Sequence, residues 1–287
     1  MPSKAIAFAA TLNVSSKNEI IVWYLKDGYS LMKLRPINAL LDNYKETIVT
    51  KSAPIVGVST DNKEVPSQVP PFQDSWTFAQ ATTTKMKYAF AVRDDHKVCM
   101  ISPAYYPLPN TTPTNYSVAA CGTTVKGSEG PRDSVLLFYL KAEGNNDPEL
   151  IEYDMEVPWQ KPLPDAHPDS KKYIYEYNTF KRRGEERLPI EDALATTPLA
   201  ACLYNKTVYY FWLSGGYVLM YITCVNGKWS SPASVPPNED DNQAPNKADS
   251  QSDLAAVADP SNKCIVLYYK ADGSPSDYDE FVWKNLE

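Results

Sequence analysis

One pattern recurs along the chain and limits what it can fold into. An Ala-rich strand is followed by a connection, by an apolar and aromatic strand ending near a cation, and by a third strand. "AIAFAATL", "EIIVWYLKDG" and "YSLMKL" form the first copy; "WTFAQATT", "KYAFAVRDD" and "HKVCMIS" form the second. "YSVAACGTT", "SVLLFYLKAEG" and "ELIEYDM" make the third, "PLAACLYN", "TVYYFWLSGG" and "YVLMYITC" the fourth. The last consists of "DLAAVADP", "CIVLYYKADG" and "YDEFVWK", and the sequence stops before a fourth strand.

Repeats of several short strands separated by turns predict an all-β fold, a single β-propeller domain over residues 1–287. Strands crowd near a propeller axis, so the Ala-rich strand is expected innermost, with Ala9, Ala10, Ala119, Ala120, Ala200, Ala201, Ala255 and Ala256 chosen for size. The two ends carry the same strand because first and last blades must close a ring and protect their edges. Five blades is the expectation. Six is the alternative, because residues 36–74 and 160–196 are long for blade connections and "KKYIYEYNTF" offers another strand. The final blade then needs an outer strand, from the segment after the first blade or from the N-terminus. "VPSQVPPFQD", "PLPDAHPD" and "SVPPNEDDNQAPNKADS" are too polar and proline-broken for central strands and read as loops.

Composition narrows function. The 20 Tyr, 6 Trp and 8 Phe suit pleated, half-buried surfaces. A net charge of −7 and scattered Lys and Arg leave no basic stripe for a phosphate backbone, so nucleic acid is not expected as a partner. No apolar run reaches the roughly 18 residues of a membrane span. The N-terminus does not read as a signal peptide, and the 5 Cys sit in apolar strands without a CxxC, so a cytoplasmic protein with reduced, buried thiols is expected.

Catalytic signatures are sparse. The 2 His, His96 and His167, lie far apart, which gives a metal site or a histidine-based triad little to work with. GxSxG, GxGxxG and P-loop patterns are missing, and the carboxylates of "NEDDN" and "GEERL" lie in polar loop-like runs. An enzyme built on this sequence is therefore expected to work without metal or cofactor.

The repeat resembles the fungal fucose-specific lectins over nearly the whole chain, through its Ala-rich strand, its second strand ending in aromatics, and a Trp soon after the third strand, as at Trp159 and Trp229. The resemblance implies sugar sites between blades, with an Arg in the second strand, a Glu in the third and an aromatic beyond, groups that bond hydroxyls and pack on a sugar's apolar face. Alignment on the terminal cation or turn puts the Arg position at Val22, Ala89, Leu137, Tyr210 and Val266, none of them Arg. The Glu position falls at Lys33, Met100, Glu152, Met220 and Glu280, so at most two copies keep it. Sugar binding of altered or lost specificity is the alternative function.

A second resemblance, to lectin-like hetero-Diels–Alderases of fungal tropolonic sesquiterpenoid pathways, implies a cofactor-independent pericyclase. Such enzymes join a tropolone-derived ortho-quinone methide to humulene or a related terpene, and these two small molecules are the partners expected. Lys26, Arg93, Lys141 and Lys270 end the second strands and are the candidate donors to the quinone methide oxygen, with Tyr116 as a neutral alternative. Trp23, Trp76, Trp212, Tyr268 and Asp253 are the candidate substrate-binding residues.

Overall fold

The computed structural model describes residues 8–12, 19–26, 29–36, 45–51, 78–82, 87–92, 95–102, 106–115, 117–127, 130–141, 149–156, 160–162, 173–175, 186–188, 190, 192–194, 196–238, 242–276, 278–284 and 286. Within them every regular element is a strand. The first sheet runs β1 (Phe8–Leu12), β2 (Glu19–Lys26), β3 (Tyr29–Pro36) and β4 (Lys45–Lys51), in that order. The second is β5 (Phe78–Thr82), β6 (Lys87–Val92), β7 (Val98–Ser102) and β8 (Tyr106–Pro107). The third begins with β9 (Val118–Gly127), β10 (Gly130–Lys141) and β11 (Glu149–Glu156). A separate hairpin of β12 (Gln160–Pro162) and β13 (Tyr173–Tyr175) follows, and β14 (Glu186–Leu188) then returns to pair with β11 as the outer strand. The fourth sheet holds β15 (Leu199–Tyr204), β16 (Thr207–Leu213), β17 (Leu219–Val225) and the short β18 (Lys228–Trp229) and β19 (Ala233–Ser234). The fifth has β20 (Leu254–Asp259), β21 (Cys264–Tyr269) and β22 (Asp279–Lys284).

All strand pairings among the described residues are antiparallel, and most join consecutive strands. The β17–β18 hairpin turns at Asn226 and Gly227, both at positive φ (53° and 78°), which is the combination a two-residue primed turn requires. Asn205 and Lys206 play the same part between β15 and β16, with φ of 47° and 67°.

Each repeat places its first strand against the next: β1 lies against β5, β5 against β9, β9 against β15, β15 against β20, and β20 also meets β1. Sheets stacked this way bury both faces, so aromatic and aliphatic residues occupy consecutive positions instead of alternating with polar ones. Tyr210, Phe211, Trp212 and Leu213 are all buried for that reason. One packed cluster joins Tyr88, Phe90 and Met100 of the second sheet to Leu137, Tyr139 and Tyr153 of the third. Another joins Phe138 and Leu150 of the third to Tyr210, Trp212 and Ile222 of the fourth, and the next joins Phe211 and Tyr209 of the fourth to Leu267, Phe281 and Trp283 of the fifth. Burying a side chain such as Phe138 or Phe211 stabilises the fold by about 1.5–3 kcal/mol. Ala79, Ala119, Ala120, Ala200, Ala201 and Ala255 fit between neighbouring first strands with little surface left.

The fifth sheet differs from the others in having three strands. Loop residue Asn238, itself buried, reaches its outer edge through bonds to Val282 and Lys284. Of the three proline-broken segments, residues 234–238 and 242–250 run as a loop after the start of β19, joined to the fifth sheet by the bridge Ala248↔Ala271. "VPSQVPPFQD" and nearly all of "PLPDAHPD" lie outside the described residues. No described helix is long and apolar enough to cross a membrane.

Candidate functional site

Pairing between first and second strands gives an alignment of the repeats that does not depend on residue type. Phe8 faces Tyr24, Phe78 faces Ala91, Val118 faces Tyr139, Leu199 faces Trp212, and Leu254 faces Tyr269. Two residues beyond those second-strand positions stand Lys26, Arg93, Lys141 and Ser214, but in the last repeat Ala271. The isolated bridges Ala193↔Ser214 and Ala248↔Ala271 repeat the same equivalence. Lys270 is therefore one position out of step with the other cations, which corrects the alignment made on sequence. It matches Leu140 and Leu213, both buried.

The environment of Lys270 follows from that position. Its side chain is 5 % exposed, and its ammonium donates to the carbonyls of Ser274, at 2.6 Å, and Ser276. Its backbone N–H donates to Ser252 Oγ at 2.8 Å, as Leu213 N–H donates to Thr197 Oγ1 at the same distance. Asp253 is buried, and its Oδ1 accepts from Leu254 N–H at 2.9 Å. Trp212 and Tyr268 are fully buried, Trp212 stacked on Tyr210 at 5.8 Å and Tyr268 edge-on to Tyr278 at 5.9 Å. Lys141 ends β10 and is half-buried. Lys26 and Trp23 lie in β2, Trp23 opposite Ala9 and Met32, and their side chains lie outside the described set. Arg93, Tyr116 and Trp76 lie outside the described residues, as do His167 and Trp159.

The same alignment tests the sugar positions. The second-strand Arg position pairs with Ala10, Gln80, Ala120, Ala201 and Ala256, and so falls on Val22, Ala89, Leu137, Tyr210 and, after the one-residue correction, Leu267 in place of Val266. None is Arg. In the third strands Glu152 faces Phe138 and Glu280 faces Tyr268, which pair with Ala119 and Ala255 of the first strands and are therefore equivalent; counted along the third strands, Glu152 and Glu280 each follow directly on the residue paired with Tyr139 or Tyr269. Those two carboxylates thus share one repeat position, where the first and second repeats carry Met32 and Met100 and the fourth carries Tyr221.

Glu280 belongs to a cleft of about 370 Å³ on the face of the fifth sheet turned away from the fourth. Cys264, Val266 and Val282 form its floor, and Asn238, Gln243, Asp259, Asn262, Glu280 and Lys284 supply polar groups. Asp259 is committed to the local turn: Oδ1 accepts from Ser261 N–H at 3.1 Å and Asn262 N–H at 3.2 Å, and Oδ2 from Asn262 Nδ2 at 2.7 Å. Glu280, Lys284 and the amide of Gln243 add charged and polar groups to the lining, a combination fitted to hydroxylated ligands and not to a hydrocarbon. Sequence reading missed the cleft, because Asn238 and Gln243 come from the loop ahead of β20, two strands before β22. Only the Asp259-x-x-Asn262 turn carried a local signal.

Cys99, Cys121, Cys202 and Cys264 are buried and Cys224 is partly so, and none of the 5 is in a disulfide. Burial pushes the Cys121 thiol up, and the Glu152 carboxylate and Cys224 push it further. No cluster of three or more His, Cys, Asp or Glu that could hold a metal occurs among the described residues.

No family model and no curated relative matches the sequence. Among solved structures the chain is similar to the Aleuria aurantia lectin bound to α-methyl-L-fucoside, at 12 % identity and a TM-score of 0.46, covering 99 % of this chain and 96 % of that one. It is also similar to AofleA from Arthrobotrys oligospora, at 12 % identity and a TM-score of 0.49 over 98 % of this chain and 70 % of that one. SapL1 lectin in complex with α-methyl fucoside gives 12 % identity and a TM-score of 0.49 over 96 % and 76 %.

Proposed function

We propose that this protein is a cofactor-independent pericyclase, an intermolecular hetero-Diels–Alderase that joins a tropolone-derived ortho-quinone methide to humulene or a related sesquiterpene. The observation that carries the reading is the lectin-like repeat without its sugar chemistry: Val22, Ala89, Leu137, Tyr210 and Leu267 occupy the position where a fucose-type site needs Arg. A scaffold rich in aromatics and poor in acid–base groups suits a reaction that needs neither. We take the scaffold to be a closed five-bladed propeller, supported by the contacts that run from β1 through β5, β9, β15 and β20 and back to β1. The free thiols suit a reducing compartment, and a cytoplasmic location is part of the proposal.

In the cycloaddition the C=C–C=O unit of the quinone methide and one alkene of the terpene form a C–C and a C–O bond together. Nothing leaves, so no base is required. Holding the two partners in a reactive pose contributes up to about 7–11 kcal/mol. Negative charge grows on the quinone methide oxygen, where a fixed donor is worth about 2.7–4 kcal/mol. With the Lys270 ammonium bound to two loop carbonyls, Lys141, Lys26 and Arg93 are the strand-end donors we assign to this role, with Tyr116 as the neutral alternative. Tyr268 and Asp253 serve as framework, and Trp23 and Trp76 as the aromatic contacts. The test is the rate of dihydropyran formation from humulene and a quinone methide precursor, with and without protein and with no metal or nucleotide added.

The polar cleft around Glu280 favours a second reading, a carbohydrate-binding protein of altered specificity. Titration with fucose and a glycan array separate the two: saturable sugar binding lost in Glu280→Gln supports the lectin reading, and no binding leaves the pericyclase.

A further inference from the structure

Three buried polar atoms at the interface of the third and fourth sheets lack a hydrogen-bond partner among the described residues: Tyr210 Oη, Trp212 Nε1 and Trp229 Nε1. Buried donors are nearly always satisfied, so an orphan calls for an explanation, and a bound water or ligand is one. Here the three belong to one aromatic cluster. Tyr210 stacks on Trp212 at 5.8 Å, and Phe138 of the facing sheet packs at 5.1 Å from Tyr210 and edge-on at 5.9 Å from Trp229. Glu152 lies directly across from Phe138 on β11 and so projects from the same face. Its effect on the Cys121 thiol, a member of this cluster, agrees with that direction. Glu152 and Trp229 are half-buried, so the interface reaches solvent at its outer rim.

One carboxylate and three neutral donors beside aromatic walls match a particular chemistry. A flat ring with a hydroxyl next to a carbonyl can donate to the carboxylate, accept from the phenol and indoles, and lay its face on an aromatic wall. We propose that this interface binds the oxygenated edge of a tropolone-type ring, with Tyr210, Trp212 and Trp229 as donors and Glu152 as acceptor. The inference rests on the cycloaddition reading for the identity of the ring and deepens it by assigning where that partner is held. The reacting oxygen remains with a strand-end cation.

Binding of tropolone, tropolone methyl ether and α-methyl fucoside to wild type, Tyr210→Phe and Glu152→Gln tests this, by calorimetry at mildly acidic pH where tropolone keeps its hydroxyl proton. Tropolone is expected to bind wild type and to lose about tenfold or more in Tyr210→Phe. The methyl ether should bind wild type more weakly than tropolone, and Glu152→Gln should narrow that difference. Unliganded Tyr210→Phe should melt no lower than wild type, because it removes a buried hydroxyl that has no partner among the described residues. Equal tropolone affinity in wild type and Tyr210→Phe, a lower melting temperature of the unliganded variant, or binding of the fucoside alone would each overturn the proposal. Cycloaddition measured on the same wild-type preparation keeps the two claims apart. Tyr210-dependent tropolone binding without product sustains the site and sinks the reaction, whereas product with Tyr210-independent binding does the reverse.

Discussion

The Asn238 side-chain amide donates from Nδ2 to the Val282 carbonyl at 2.9 Å, and its Oδ1 accepts from Lys284 N–H at 3.0 Å. One carboxamide thus fills two groups on the edge of β22, as an outer strand would. Asn238→Ala leaves both without that partner and is predicted to destabilise the protein by about 1–3 kcal/mol in urea denaturation. Asn238→Asp keeps the acceptor, loses the donor and should fall between. Wild-type midpoints for both variants would mean that other contacts hold this edge.

Lys270→Met is predicted to loosen the turn that follows β21. The carbonyls of Ser274 and Ser276 lose a charged donor, while Asp279 still holds the turn through Ala271 N–H at 2.8 Å and Ser274 Oγ at 2.7 Å. A loss of about 1–3 kcal/mol is expected. Amides of residues 271–279 should exchange faster with solvent deuterium, and unchanged exchange there would contradict the role given to the ammonium.

Lys141→Met tests the donor role on the best-described of the strand-end cations. If this ammonium meets the developing oxyanion, the catalysed rate should fall about 10²- to 10³-fold with the unfolding midpoint retained. A rate equal to wild type removes Lys141 from that role.

Stability should decline in alkali. Burial raises the Tyr269 phenol from 10.0 to about 12, with Asp279 adding to the effect and a hydrogen bond from the Asn246 backbone opposing it. Tyr209 and Tyr210 are also pushed up by burial, as are the Cys121 and Cys202 thiols. The folded chain keeps protons that the unfolded chain releases. Stability from these groups is therefore complete below the ordinary values of 9.0 for the thiols and 10.0 for the phenols, and is lost as pH rises above them. Urea midpoints taken from about pH 8 to about pH 11 should fall across this window; a flat profile would contradict it.

The fold was legible where local pattern and packing agree. Strands such as "TVYYFWL" and "CIVLYY" announce themselves because both faces are buried, and the Ala residues mark the crowded first strands. The register of Lys270 was not legible: "YYKADG" and "FYLKAEG" look alike, and only pairing of Leu254 with Tyr269 reveals the one-residue offset. Asn238 serving as an edge partner depends on a contact 44 residues away, which no spacing rule supplies. The orphan donors of Tyr210 and Trp212 were equally hidden, because a buried aromatic strand reads the same whether its polar tips are satisfied or not.

Enantiomeric excess of the dihydropyran made from humulene and the quinone methide precursor tests the central claim most directly. A chiral interface that holds both partners should give one enantiomer in large excess, against a racemate without protein. A racemic product at the protein-free rate would contradict the account.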